Sequence, residues 1–300
     1  MRLHSLDRTG LRELEAALRA DVPVQLAGTS GARVPLDEIV PLCHGVDDPD
    51  LAWMLPPAGR GGSGLAVSAV IPAHRHRPRG LDALAAQDIE VEVIVLANGG
   101  YTDGVQVPWE GHGATRQRGV DLARHPWILF SVDDARVLGG GMVRTLVEAL
   151  EAGGYDAVVA RQIPWPTASA ATRARLRAWT PPGTTVVDSP MLDNVCALYR
   201  RSALLADPFD PVPTAEDWHW GRRHRVGYVP AAPVLHSHPR RLRAAYLRTR
   251  DEHLERLRAG EPAAVPDALH LLRALPSVVG ADVRGALGEL LGQYDAARRR

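Results

Sequence analysis

From residue 65 to residue 160 the chain alternates short, almost wholly apolar runs with segments of helical periodicity. No other feature constrains the fold as much. Leu65–Ile71 (LAVSAVI) closes on Pro72, and Val91–Ala97 (VEVIVLA) ends at Asn98-Gly99-Gly100. Trp127–Val132 (WILFSV) ends at Asp133-Asp134, and Asp156–Ala160 (DAVVA) is a fourth run. Runs this short and apolar read as strands buried on both faces. Helical patterns at 80–86, 114–124 and 142–152 lie between them. The alternation predicts an α/β fold of βαβ units, with a mainly parallel sheet flanked by helices. Ligands of such sheets bind beyond the carboxyl ends of the strands, where Asn98 and the Asp133/Asp134 pair fall.

The flanks have a different character. Residues 1–62 form a mixed lead-in with helical periodicity over Leu11–Leu18, and Gly61-Gly62-Ser63-Gly64 reads as a linker. After Arg161 five prolines up to Pro190 predict a long loop with one short helix at 171–178. Helices are expected at 194–205 and 217–225, and a late strand at 228–235 ending in His236-Ser237-His238. Beyond Arg240 an amphipathic helix leads into a Pro-interrupted helical tail. The expected division is an N-terminal extension and linker (1–62), an α/β domain (63–240) and a C-terminal helical extension (241–300).

Lysine is absent, so every fixed positive charge is an arginine. That excludes a P-loop lysine, a Schiff-base lysine and a Ser–Lys dyad. Any phosphate must be held by arginine, metal or backbone N–H groups. Lys+Arg (35) balances Asp+Glu (35), which gives no global attraction to nucleic acid. Cys43 and Cys196 stand far apart without metal-ligand spacing, and no signal-like or membrane-spanning run occurs. The expectation is a cytoplasmic protein, at most peripheral at the membrane.

Three constellations carry chemistry, and each has a plainer reading beside it. Asp133-Asp134 directly follows a strand; adjacent carboxylates repel and invite a hard divalent ion such as Mg²⁺ or Mn²⁺, unless the pair only caps a turn. Glu216-Asp217 opens a helix, where a carboxylate is either a general base or a simple N-cap. His236 and His238 alternate on a strand end and point the same way, as metal ligands or as surface histidines. His74-Arg75-His76-Arg77 is a basic loop that either touches phosphate or is solvated. Gly111-x-Gly-x-x-Arg116 before a helix has room for a pyrophosphate, a weak signal by itself. Trp165, Trp218 and Trp220 either stack on a ligand face or pack in the core.

Taken in order, these pieces resemble a family 2 glycosyltransferase of the GT-A (Rossmann-like) fold. The resemblance runs through AVSAVIPAHRH (66–76), VEVIVLANGG (91–100), GHGATRQRGVDLA (111–123), WILFSVDDA (127–135) and DAVVARQIPWP (156–166). It continues through DNVCALYRRSAL (193–204) and AEDWHWGRRHRVGYVPAAPVLHSH (215–238), and so covers about 65–255. RQIPWP, NVCALYRRSAL, AEDWHWGRR and VLHSH are most similar to the rhamnosyltransferase-like branch. The resemblance implies that Pro72, Ala73 and His74 meet the nucleobase and ribose. It implies donor contacts for Arg116 and Asp133, and metal contacts for Asp134 with His236 or His238. It makes Asp217 the catalytic base, with Glu216 as the alternative. Where the family commonly has an acidic residue against the base, this chain has Ala97 followed by Asn98, which can take over its hydrogen bonds.

The implied activity is an inverting transfer of a sugar, rhamnose or another hexose, from a UDP- or dTDP-sugar to a hydroxyl of a glycan, lipid-linked glycan or small molecule, with Mn²⁺ or Mg²⁺ as cofactor. Two rivals stand beside it. One is a metal-dependent hydrolase using the His-x-His pairs at 74–76 and 236–238; the other is a non-catalytic nucleotide-sugar or glycan-binding protein. The arginine-bearing C-terminal helices leave open a homodimer, an anionic lipid surface or neither.

Overall fold

The computed structural model describes residues 2–3, 8–20, 25–26, 64–238, 242–261 and 282–298. The expected linker up to Ser63 and the start of the C-terminal tail lie outside these residues. Near the N-terminus β1 (Arg2–Leu3) and β2 (Gln25–Leu26) pair in parallel around α1 (Arg8–Arg19).

The α/β domain is built on a nine-stranded sheet. Its first half holds β3 (Ala66–Ala73), α2 (Leu81–Ala85), β4 (Glu90–Ala97), β5 (Val105–Gln106), α3 (His112–Leu122) and β6 (Trp127–Ser131). β7 (Arg136–Val137), α4 (Met142–Gly153), β8 (Ala157–Ile163), α5 (Ala170–Trp179) and β9 (Val187–Asp188) follow. β10 (Cys196–Arg200), α6 (Arg201–Ala206), α7 (Glu216–Gly221) and β11 (Val226–Leu235) complete the domain. The strand order is β5-β4-β3-β6-β10-β8-β11-β7, with β9 also on β11.

The first half is parallel, as the alternation predicts. Its strands are apolar on both faces because both faces are covered: Val67, Ala69 and Ile71 pack with Met142, Leu146 and Leu150 of α4, while Val70 faces Val120 of α3. Each Val, Ile, Leu or Met side chain so removed from water contributes about 1.5–3 kcal/mol.

The second half departs from expectation. The segment 194–205, predicted as one helix, is the strand β10 followed by the short helix α6. β10 lies antiparallel to both β6 and β8, so Cys196 to Tyr199 are buried on both sides. A short run buried all round has no face to declare, and its periodicity cannot separate helix from strand. The predicted helix 217–225 is likewise shorter: it spans Glu216–Gly221, and residues 222–225 turn into β11.

β11 is parallel to β8 but shifts register between Val229 and Pro233. Pro230 and Pro233 cannot donate to a ladder, and such residues sit at bulges. Beyond the bulge β11 regains β8, and the backbone N–H of His236 donates to Ile163 O at 2.8 Å. α8 (Leu242–Arg258) and α9 (Asp282–Arg298) pack on each other beyond the sheet. Among the described residues no helix is long and apolar enough to cross a membrane.

Candidate functional site

At the carboxyl ends of β3, β4 and β6 the backbone draws one group of candidates together. Asn98 N–H donates to Ala73 O at 3.1 Å and Tyr101 N–H to His74 O at 3.1 Å. A Cβ on Gly99 would lie 2.2 Å from His74 Nδ1, so only glycine lets the imidazole rest there. The backbone N–H of His74 donates to the Asp133 carboxylate, and Arg79 N–H donates to Asp133 O at 2.8 Å. Burial and the Asp134 charge hold Asp133 above the usual carboxylate range. Pro72 is half-buried on β3; Ala97 is buried in the sheet, and Asn98 is the first residue past it to reach the surface.

Asp134 belongs to a second group. After the turn in which Ala135 N–H donates to Val132 O, β7 pairs antiparallel with the end of β11, Arg136 opposite Leu235. That register sets Asp134 beside the two histidines that follow Leu235. Asp134 Oδ1 lies 3.6 Å from His236 Nε2, and Oδ2 lies 3.5 Å from His238 Nδ1. One ligand atom from each of the three lies within 4.8 Å of the others, and no other such group occurs among the described residues. Ser237 faces elsewhere, accepting from Trp165 N–H at 3.1 Å.

The surroundings of His236 fix its tautomer. Gln162 Nε2 donates to Asp193 Oδ2 at 2.6 Å, which leaves Gln162 Oε1 to accept from His236 Nδ1 at 3.0 Å. The proton therefore sits on Nδ1, and Nε2 presents its lone pair toward Asp134, buried and without a hydrogen-bond partner. Burial lowers the pKa of both histidines, which keeps them neutral. An orphaned buried imidazole nitrogen beside a carboxylate and a second neutral imidazole fits a divalent metal ion.

The third group is organised by a close approach. Gly113 of α3 lies against the 210–213 segment, where a Cβ would meet Asp210 O at 2.0 Å. His112 N–H donates to Pro213 O and Gly113 N–H to Val212 O, so carbonyls of the chain occupy the helix start where a pyrophosphate was conceivable. This docking brings Glu216 onto Arg116: the Arg116 Nη1–Glu216 Oε1 distance is 2.6 Å, both side chains buried. Asn194 Nδ2 donates to the same oxygen at 2.9 Å, and its Oδ1 accepts from Tyr199 at 2.7 Å. Arg116 thus pairs with Glu216 rather than joining Asn98 and Asp133.

Asp217 is left available. It accepts from Asn194 N–H at 2.9 Å and Trp218 N–H at 2.8 Å, and its carboxyl lines a cavity of about 440 Å³ that it shares with His236 and His238. Burial first, then the charges of Glu216 and Asp193, push its pKa up to about 8. The preceding residue, Ala215, has φ 63°, the left-handed region that costs a residue with a Cβ about 1 kcal/mol or more. Among the described non-glycine residues it alone does so.

Trp165 and Trp220 are 1% and 0% exposed and belong to the core, whereas Trp218 lines the cavity. His74 and His76 do not join His236 and His238. Sequence reasoning did not single out Gln162, Asp193 or Asn194, although each lies in a segment that carried the resemblance. Their signal was position beside a strand end, not residue type.

No protein-family model matches this sequence, and no curated protein matches it by sequence. Solved structures do resemble it in shape. The mannosyltransferase PcManGT from Pyrobaculum calidifontis, in complex with GDP-Man and Mn²⁺, is 16% identical with a TM-score of 0.50, over 96% of this chain and 85% of that one. S. aureus TarS is 16% identical with a TM-score of 0.45, over 70% of this chain. The match spans only 44% of the TarS chain. TarS 1-349 in complex with UDP is matched over 72% of its length, with a TM-score of 0.44. At these identities the likeness shows the fold: a mixed α/β sheet flanked by helices, of the GT-A, Rossmann-like kind.

Proposed function

We propose that this protein is a metal-dependent glycosyltransferase that moves a sugar from a nucleoside-diphosphate sugar to an acceptor hydroxyl with inversion. The observation that carries the reading is one cavity lined by both the neutral imidazoles beside Asp134 and the carboxyl of Asp217. The PcManGT structure, which carries GDP-Man and Mn²⁺ on the same fold, agrees with it.

Asp134, His236 and His238 are the proposed metal ligands, and two imidazoles with one carboxylate suit Mn²⁺ better than Mg²⁺. When bound, the metal supplies Lewis-acid neutralisation of the departing diphosphate. Asp217 removes the acceptor proton as the hydroxyl attacks the anomeric carbon from the face opposite the leaving group. Glu216, spent on Arg116 and Asn194, positions Asp217 and keeps its pKa high by repulsion. His74, Asn98 and Asp133 form the nucleoside end, with Pro72 and Ala73 as its floor. The donor sugar remains rhamnose or another hexose, carried on UDP or dTDP, in a 63–240 catalytic domain.

Calorimetry with UDP, dTDP and GDP, each with and without Mn²⁺, tests the reading. Nucleotide binding that requires the metal is expected, together with slow hydrolysis of a matching nucleotide-sugar. Binding without any hydrolysis or transfer would leave a binding protein on this fold. Tight metal binding with no nucleotide affinity would favour the hydrolase.

A further inference from the structure

Helix α8 lines the cavity with three charged side chains at successive i, i+4 positions, Arg248, Glu252 and Arg256. At this spacing Arg and Glu normally pair. None of the three does so, and among the described residues none of these side chains has a hydrogen-bond partner. The contrast within the same cavity is sharp: Arg116 is paired to Glu216 at 2.6 Å and Arg175 to Glu289 at 2.9 Å.

Each unpaired group has a defined setting. Arg256 lies 5.4 Å from the Trp218 ring centroid, and its Nε is buried without a partner. Arg222 occupies the same ring at 4.7 Å, so Trp218 holds guanidinium groups in place of a sugar face. Arg248 is close enough to His236 and His238 for its charge to help keep both neutral. The carboxyl of Glu252 is held above the usual range, chiefly by burial and against the pull of both arginines. The buried Arg256 Nε is a donor that is costly to leave unpaired unless a ligand completes it.

We propose that this row is the acceptor subsite and that the acceptor is a sugar carrying an anionic group. Arg248 and Arg256 take the anion, Glu252 accepts from a ring hydroxyl, and a further hydroxyl is presented to Asp217. The anion is a carboxylate or a phosphate, since guanidinium groups recognise both. The inference rests on the transferase reading for the role of Asp217.

Calorimetric titration of the full chain in the presence of UDP and Mn²⁺ tests it, using methyl β-glucuronide, glucose 6-phosphate and methyl β-glucoside as probes. At least one anionic probe should bind tenfold or more tightly than the glucoside, and which one does identifies the anion. Arg248→Gln and Arg256→Gln should each remove most of that preference, and Arg256→Gln should leave UDP–Mn²⁺ affinity unchanged. Glu252→Gln should weaken all three probes alike, and unchanged circular dichroism excludes misfolding. Equal binding of the glucoside, a preference that survives in both arginine variants, or lost UDP affinity in Arg256→Gln would overturn the proposal. If no nucleotide binds but the glucuronide binds through Arg256, the transferase reading fails and the anionic-sugar subsite stands.

Discussion

The Asp133–Asp134 pair divides two regions built on opposite principles. Asp133 faces the ends of β3 and β4, where backbone hydrogen bonds among Ala73, His74 and Asn98 shape a surface around a glycine. Asp134 faces the end of β11, which borders a region where side chains from distant parts of the chain satisfy one another: Gln162 with His236 and Asp193, Arg116 with Glu216 and Asn194. The first region is set by local chain geometry, with Gly99 as its fixed point. The second is a closed set of buried polar groups, in which removing one member leaves the others unsatisfied. The difference separates a surface held by backbone from one held by side chains.

The strongest test of that contrast is Asp217→Asn. It should lower transfer by about 10²–10⁴ while nucleotide affinity stays within twofold by calorimetry. Substantial turnover would remove Asp217 as the base. In the unsubstituted protein, the proposed transfer should climb with pH through a step near the Asp217 value of about 8, since only the carboxylate accepts a proton. The sign for stability is the reverse. A folded-state pKa raised from 3.8 means the folded chain holds the proton longer, so Asp217 favours folding at low pH and loses that contribution as pH rises toward 8. A melting-temperature series from pH 5 to 9 should therefore be flatter in Asp217→Asn.

Arg116→Met comes next. It strands Glu216 as a buried, uncompensated charge, for a loss of about 3–5 kcal/mol in chemical denaturation. A loss below about 1 kcal/mol would show that the second region is less tightly closed than its geometry implies. Gln162→Leu frees the tautomer of His236 and should weaken Mn²⁺ binding by about 10–100-fold, read by metal titration, with little change in fold. Asn98→Ala should have the smallest effect, about 1 kcal/mol or roughly fivefold in nucleotide affinity, and should alter preference among UDP, dTDP and GDP. Equal loss for all three nucleotides would mean that Asn98 does not read the base.

The same contrast governs what the sequence made legible. β3, β4, β6 and the helices between them declared themselves because each carries its signal within a few residues: an apolar run, a turn of Asn-Gly-Gly, a pair of aspartates. The helix α8 was equally plain from its amphipathic pattern. β10 was misread because its burial on both faces erases periodicity. The partner of Arg116 was illegible because it lies a hundred residues away and is fixed by how the 210–213 segment docks on Gly113. The tryptophans divide for a similar reason: nothing local separates Trp218 at the cavity from Trp220, two residues on and wholly buried.

The pairing of β7 with β11 has a temporal meaning. Asp134 is synthesised long before His236, and it gains its neighbours only when the last strand of the sheet adds to β8 and folds against β7. Contacts so far apart in the chain form slowly, because loop closure precedes any gain from them. A nascent chain lacking β11 would carry most of the sheet and no metal group. An ion held by Asp134, His236 and His238 would bind only what is finished and so act as a latch on the final step of folding, and its withdrawal should speed the loss of β11 before the rest of the sheet opens.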